Sequence, residues 1–136
     1  MTYAVATERQ RRTEELRDEL RSGVRAMREV QVRVGRTLLE IQRSHNLLLL
    51  GSTSFPIFCE QEGLSPVEGR ELCAMAEAAE ATPEVTERVI EARITPQKAA
   101  VVNQLLKAPE LQRPGEDLLN FVESRCANTD DGAGSV

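Results

Sequence analysis

Apolar residues recur at steps of three and four over the first third of the chain, which is the spacing of one helix face. The pattern predicts a long helix that begins at Thr7 or Thr13, after a frayed end over Met1–Ala6. Neither Gly23 nor Gly35 is expected to break this helix, because one internal glycine costs only about 1 kcal/mol. The apolar positions form a heptad-like seam of seven residues: Leu20, Val24, Met27, Val34, Leu38, Ile41 and Leu48.

This seam has two interpretations, and the sequence leaves both open. The helix is either amphipathic and packed on its own domain, or one strand of a dimeric coiled coil. Gln31 and His45 fill the two gaps in the seam, so His45 is expected to have a buried or partly buried structural role. On the coiled-coil interpretation the dimerisation residues are Leu20, Val24, Met27, Val34, Leu38 and Ile41.

The next stretch, residues 51–85, has the outline of a helix-turn-helix unit. Ser54 can cap a short helix, and Gly63 can take the left-handed conformation that ends it. Ser65 and Glu68 form a capping box around a proline at the first helical position, which predicts the start of a second helix. Thr82-Pro83 then ends that helix and opens the next one.

Further helix starts follow at Thr82-Pro83 and at Thr95-Pro96, and a last helix is predicted at about Glu116–Arg125. Pro109 and Pro114 are expected to bracket a turn. No segment alternates apolar and polar residues as a strand would. We therefore predict an all-α fold with a long amphipathic helix over residues 1–50, a compact helical domain over 51–126 and a disordered tail over 127–136.

The charge is negative overall but unevenly distributed. The net charge is -5. Up to His45 there are ten arginines against seven acidic residues, whereas the remainder has seven basic against fifteen acidic residues. The overall balance argues against a mainly electrostatic nucleic-acid binder, because that affinity comes from cations that neutralise phosphates.

Candidate chemistry is sparse. One histidine and three cysteines without C-x-x-C spacing do not form a metal-site pattern, so we expect no bound metal. There is no phosphate-binding loop and no nucleophile with an adjacent base, so we expect neither a cofactor nor an enzyme. No apolar run approaches membrane-spanning length, and no signal region opens the chain, which predicts a cytoplasmic protein without a membrane partner.

A series of short motifs resembles the helical region that precedes HNH endonuclease domains in many bacterial proteins. The resemblance covers about residues 37–124, and it implies a DNA-associated or regulatory helical module without the nuclease. Where the family usually has a tyrosine beside the aromatic residue, this chain has Cys59. The matching motifs are Leu38-Leu39-Glu40-Ile41, Gly51, Ser54-Phe55, Phe58-Cys59, Gly63-Leu64-Ser65, Pro83-Glu84-Val85 and Arg93-Ile94-Thr95.

Two functions are therefore predicted as alternatives. The first, which the resemblance favours, is a homodimeric module that binds double-stranded DNA or regulates transcription through Arg9, Arg11, Arg12 and Arg70. The second, which the composition favours, is a protein-interaction or assembly module without DNA binding, a coiled-coil adaptor or inhibitor, in which the long helix pairs with a partner. In that case an acidic surface of Glu68, Glu71, Glu77 and Glu80 would face a basic partner. We take the first as the leading hypothesis.

Overall fold

Six α-helices and one 3-10 turn are present in residues 3–108 and 114–132, the part of the chain that the computed structural model describes. No strand occurs in these residues, so the predicted all-α class is confirmed. The helices are α1 (Tyr3–Ser44), α2 (Phe55–Gln61), α3 (Pro66–Ala81), α4 (Glu84–Ile90), α5 (Pro96–Lys107) and α6 (Gly115–Gly132), and the 3-10 turn is Leu47–Leu50.

Helix α1 starts earlier and ends earlier than its apolar seam predicts. It is helical from Tyr3, so the predicted frayed end is wrong for Tyr3–Ala6, while Met1 and Thr2 lie outside the described residues. The helix passes through Gly23 and Gly35 without a break, as expected. It stops at Ser44 because His45 takes a positive φ of 57°, which turns the chain out of the helix. His45 is exposed at this turn, so its predicted buried role is wrong.

Local capping signals predicted the starts of three helices correctly. Ser54 Oγ accepts a hydrogen bond from Ile57 N at 3.4 Å at the start of α2. Ser65 and Glu68 form the reciprocal capping box of α3, with N···O distances of 3.0 and 3.2 Å. Thr95 Oγ1 accepts from Lys98 N at 3.1 Å at the start of α5. These bonds satisfy backbone N–H groups that have no partner inside the helix.

Thr82 does not cap α4, contrary to the sequence prediction. Pro83 occupies the N-cap position, and no side-chain hydrogen bond caps this helix. Thr82 is buried, and its Oγ1 has no partner in the described part of the chain. Gly115 at the start of α6 lies directly against it, because a Cβ on Gly115 would overlap Thr82 Oγ1. Thr82, directly after α3, therefore packs against the start of α6.

Helix α3 is the central element of the bundle, since it contacts α1, α2, α4 and α5. Helices α1 and α3 run side by side in the same direction, with Gly35 against Leu72 and Arg43 paired with Glu80 farther along. Leu38 and Leu39 of α1 are buried in the same apolar cluster as α3. The C-terminal half of α1 therefore belongs to the bundle, and the predicted domain boundary at residue 50 does not follow the packing.

Helix α6 is longer than predicted. Its backbone is helical to Gly132, so residues 127–132 are not the disordered tail that the composition suggested. Residues 133–136 of that predicted tail lie outside the described part of the chain, as does most of the predicted turn between Pro109 and Pro114.

A partly buried ion-pair network fastens α6 to α4. Glu123 accepts from Arg88 Nη1 at 2.8 Å and also pairs with Arg93, while Arg88 donates to Asn120 at 2.7 Å. The Arg88 and Glu123 side chains are mostly shielded from water, unlike the other ion pairs described. Shielding makes the loss of one partner costly, because the other charge remains buried.

Glu123→Gln is expected to lower the free energy of unfolding by about 1 to 2 kcal/mol, since it removes the charge facing both arginines. Urea denaturation followed by circular dichroism measures this change. Glu60→Gln is the matched control, because Glu60 is exposed and forms no ion pair in the described residues. An equal effect of the two substitutions would contradict a stabilising role for the network.

Candidate functional site

The N-terminal half of α1 extends away from the bundle. Residues 4–23 are all exposed, and Val24 is the first residue of α1 that is partly covered. At a rise of about 1.5 Å per residue, this exposed segment is roughly 30 Å long. An isolated amphipathic helix of this length is marginal in water, because most helical stability in proteins comes from packing of the apolar face.

A strip of apolar side chains in heptad positions begins on this segment and continues through residues 24–30, where α1 reaches the bundle and Arg28 donates to the Ile94 carbonyl oxygen at 2.8 Å. Leu16, Leu20, Met27 and Val30 are 47%, 66%, 50% and 48% exposed. Leu20 and Met27 occupy successive a positions, while Leu16, Gly23 and Val30 occupy d positions. We call Leu16, Leu20, Gly23, Met27 and Val30 the N-terminal strip.

The remaining residues of the predicted dimerisation seam have a different environment. Val24 is partly buried at the edge of the strip. Leu38 is 5% exposed and lies in the core of its own chain, so its assignment to an intermolecular seam is wrong. Val34 and Ile41 are partly buried against that core. The bundle thus covers the seam between Val34 and Ile41 and leaves Leu20 and Met27 about half exposed or more. Leu48, the last residue of the seam, lies in the 3-10 turn and is 78% exposed.

An open apolar groove continues the line of the N-terminal strip. It lies between α1 and the end of α2 with the turn that follows, and its volume is about 400 Å³. Val34, Thr37 and Ile41 face it from α1, and Phe58 and Leu64 form the opposite wall. Its full lining is Arg33, Val34, Thr37, Leu38, Ile41, Phe58, Glu62 and Leu64, and we call it the α1–α2 groove.

Charged side chains flank the strip, and some of those on α1 pair with one another. Arg11 pairs with Glu8 and approaches Glu15 at 4.0 Å, and Arg12 lies 3.3 Å from Glu15. Exposed pairs of this kind contribute about 0 to 1 kcal/mol each. Glu19 and Arg33, next to the strip, have no ion-pair partner in the described part of the chain.

The structure does not bring the predicted DNA-contacting residues together. Arg9, Arg11 and Arg12 are exposed near the start of α1, and Arg70 is exposed on α3. Because Gly35 contacts Leu72 of α3, Arg9 lies roughly 40 Å from the level of Arg70, at about 1.5 Å per residue along α1. These four arginines do not form one patch on a single copy of the chain.

Helix α3 has few free groups with which to read DNA. Its buried residues contact four neighbouring helices, and the exposed residues near its start include Val67 and one cation, Arg70. A recognition helix places base-contacting side chains on its exposed N-terminal part. Arg70 is therefore the one basic residue that α3 could offer to DNA bases or phosphates.

The predicted acidic surface is largely used inside the fold. Glu77 pairs with Lys107 of α5, and Glu80 pairs with Arg43 of α1 at 2.7 Å. Hydrogen bonds from Lys107 and Arg43 lower the pKa of Glu77 and Glu80 below the ordinary glutamate value. Glu68 closes the capping box of α3. Of the four predicted acidic residues, Glu71 alone has no such intramolecular partner in the described residues.

The described thiols behave as small apolar side chains. Cys59 and Cys73 are buried, and burial, with a smaller effect of Cys59, raises the pKa of Cys73 to about 11. The backbone of α3 at Gly69 packs directly on the Cys59 sulfur. No group of three or more His, Cys, Asp or Glu side chains that could hold a metal occurs in the described residues.

Among the described helices, none has the length and apolar character needed to cross a membrane. No protein-family model, curated protein or solved structure matches this chain. The resemblance to the region ahead of HNH nuclease domains stays a prediction.

Proposed function

We propose that this protein is an assembly module that forms a homodimer through the N-terminal half of α1. The carrying observation is the N-terminal strip, in which four large apolar side chains stay about half exposed or more in heptad positions. Scattered exposed apolar residues need no explanation, but a continuous strip on a projecting helix is typical of a partner surface.

The energetics support this proposal. Complete burial of a leucine, valine or methionine side chain contributes about 1.5 to 3 kcal/mol relative to exposure. Pairing would therefore compensate for the ordering of residues 4–23, which are exposed along their whole length. Residues 34–41 cannot supply this surface in full, because Leu38 already lies in the intramolecular core.

DNA binding is the second candidate, and one observation favours it. Arg9, Arg11 and Arg12 are exposed on the same projecting segment, within the part of the chain where arginines outnumber acidic residues. Such a site would act through phosphate contacts and depend strongly on salt. The pairing of Arg11 and Arg12 with Glu8 and Glu15 lowers the charge available to phosphates.

Sedimentation velocity of the unaltered protein at micromolar concentration tests the proposal. We expect a dimer of the 15.1 kDa chain. A monomer at the highest soluble concentration would contradict the assembly function. A parallel binding assay with a library of DNA duplexes at about 50 mM salt, where electrostatic attraction is little screened, tests the second candidate. Retained duplexes whose affinity falls steeply with added salt would favour DNA binding instead.

A further inference from the structure

We infer that two copies of this chain pair through α1 in antiparallel orientation, with Gly23 of each copy facing Met27 of the other. In this arrangement, Leu16 of each copy enters the α1–α2 groove of the other. The inference rests on the proposed homodimer and adds its direction, register and second contact surface. Four features of α1 lead to it.

The first feature is the glycine at position 23, because no close contact within its own chain requires a glycine there. A Cβ there would meet nothing within 4 Å, whereas a Cβ on Gly35 would lie 2.6 Å from the backbone oxygen of Leu72. A glycine inside an exposed helix destabilises it relative to alanine. In an antiparallel pair, a positions face d positions, so a glycine at d makes room for a large side chain at a. Met27 is that side chain.

The second feature is the pairing of the other a and d residues, which is fixed once Gly23 of one copy faces Met27 of the other. Leu20 then faces Val30 of the second copy, and Leu16 faces Val34. All five residues of the N-terminal strip are paired with an apolar residue or a glycine. Val34 lines the α1–α2 groove, so the incoming Leu16 also reaches the wall formed by Phe58 and Leu64. The groove and the strip thereby form one continuous self-complementary surface, as a two-fold interface requires.

The third feature is the charge at the flanking g positions. In this register Arg12 lies beside Glu40 of the second copy, and Glu19 lies beside Arg33. The two-fold axis repeats both pairs, so all four contacts join opposite charges. Glu19 and Arg33 have no ion-pair partner within the described part of their own chain. A shift of one heptad places Arg12 beside Arg33 in one direction and Glu19 beside Glu40 in the other. Like charges in contact disfavour both shifted registers.

The fourth feature is the poor fit of a parallel pair, which would bring like charges together and place glycine against glycine. In a parallel coiled coil, g positions face e positions of the following heptad, so Arg12 would lie beside Arg17 of the second copy. Gly23 would face Gly23 and leave a gap in the seam, which costs packing contacts. The two bundles would also lie side by side at one end. The antiparallel pair places them at opposite ends and gives each groove an occupant.

Disulfide trapping distinguishes the two orientations. Both variants are made in a Cys126→Ser background, since Cys59 and Cys73 are buried. Ala26 lies at a g position near the two-fold axis and faces Ala26 of the second copy only in the antiparallel pair. Val30 faces Val30 only in a parallel pair. In the antiparallel pair the two Val30 positions are roughly 15 Å apart along the axis, at about 1.5 Å per residue. A disulfide requires Cα atoms within about 7 Å.

We expect mild oxidation to give a covalent dimer with Ala26→Cys and little with Val30→Cys. The reverse result would overturn the antiparallel register while leaving the homodimer in place. A monomer in sedimentation for the unaltered protein would instead remove the proposed function itself, so the two failures are distinguishable.

Charge exchange provides an independent test of the register. Glu19→Arg alone and Arg33→Glu alone should each raise the dissociation constant of the dimer by about tenfold, because each places two like-charged pairs at the interface. The double variant, with both charges exchanged, should recover most of this loss. Glu14→Arg is the control, since this exposed residue lies away from the strip. Failure of the double variant to recover would overturn the pairing of Glu19 with Arg33.

Discussion

Replacing Leu20 and Met27 together with aspartate is expected to convert the dimer into a folded monomer. Leu20 is 66% exposed on the segment that extends from the bundle, and Met27 is 50% exposed at the edge of the bundle, beside Glu71 and Gln97. Neither residue belongs to the core, so the fold should be retained. At the proposed interface each copy would carry two uncompensated carboxylates in an apolar seam. Burial of unpaired charges costs several kcal/mol, which corresponds to a dissociation constant at least about a thousandfold higher.

Sedimentation equilibrium over a dilution series measures this dissociation, and a circular dichroism melt checks the fold. The control is Val67→Asp with Val101→Asp, which adds the same charge at two exposed valines of the bundle. Equal dissociation of the control, or a Leu20 and Met27 variant that remains a dimer, would contradict the proposed interface. Aspartate at Leu38 would not serve, because Leu38 is a core residue and its replacement would unfold the chain.

Gly35→Leu is expected to destabilise the fold by about 3 kcal/mol or more, the upper range for overpacking of a tight core. At Gly35 α1 packs tightly on α3, and a Cβ there would lie 2.6 Å from the Leu72 oxygen and 3.3 Å from the Leu72 carbonyl carbon. These are backbone atoms of the central helix, so they cannot rotate away. Relief requires the two helices to separate.

Gly23→Leu is the matched control on the same helix. A Cβ at Gly23 meets nothing within 4 Å, so the change should be neutral or stabilise the chain by up to about 1 kcal/mol through helix propensity. Both substitutions are made in the Leu20→Asp, Met27→Asp background, in which dimerisation does not contribute. Urea denaturation gives the free energies. Similar losses at the two glycines would contradict the close approach of α1 and α3.

Short-range chemistry explains why much of the helical architecture was predictable. A capping side chain acts over three residues, so Ser54, Ser65 and Thr95 could be assigned as caps from their neighbours alone. Thr82 failed as a cap because a long-range contact with Gly115 determines its environment. No local pattern contains that contact, since α6 begins more than thirty residues later.

The association surface was predicted only in part, for a similar reason. Periodicity indicates that a helix has an apolar face, but it does not identify what covers the face. The bundle covers Leu38 and leaves Leu20 and Met27 exposed, although all three belong to the same seam. Leu16 and Val30 were missed because the predicted seam did not include the d positions of those heptads. Reading a and d positions together would have found them.

Whether an acidic side chain is free or paired could not be predicted without the tertiary structure. Glu77 and Glu80 belong to a run of acidic residues on one helix, which suggested a free acidic surface. Lys107 and Arg43, which neutralise them, come from helices distant in sequence. Their alignment follows from the side-by-side packing of α3 with α1 and α5, and no pattern along the sequence indicates it.

Hydrogen exchange at two protein concentrations tests the central claim most directly, because it locates the surface that association covers. Backbone amides of residues 9–30, which include the N-terminal strip, should exchange more slowly at high concentration than at low concentration. Residues 57–64 beside the α1–α2 groove should show a smaller change of the same sign, and α5 should show none. The Leu20→Asp, Met27→Asp variant should lose the concentration dependence. Exchange over residues 9–30 that is fast and equal at both concentrations would contradict the account.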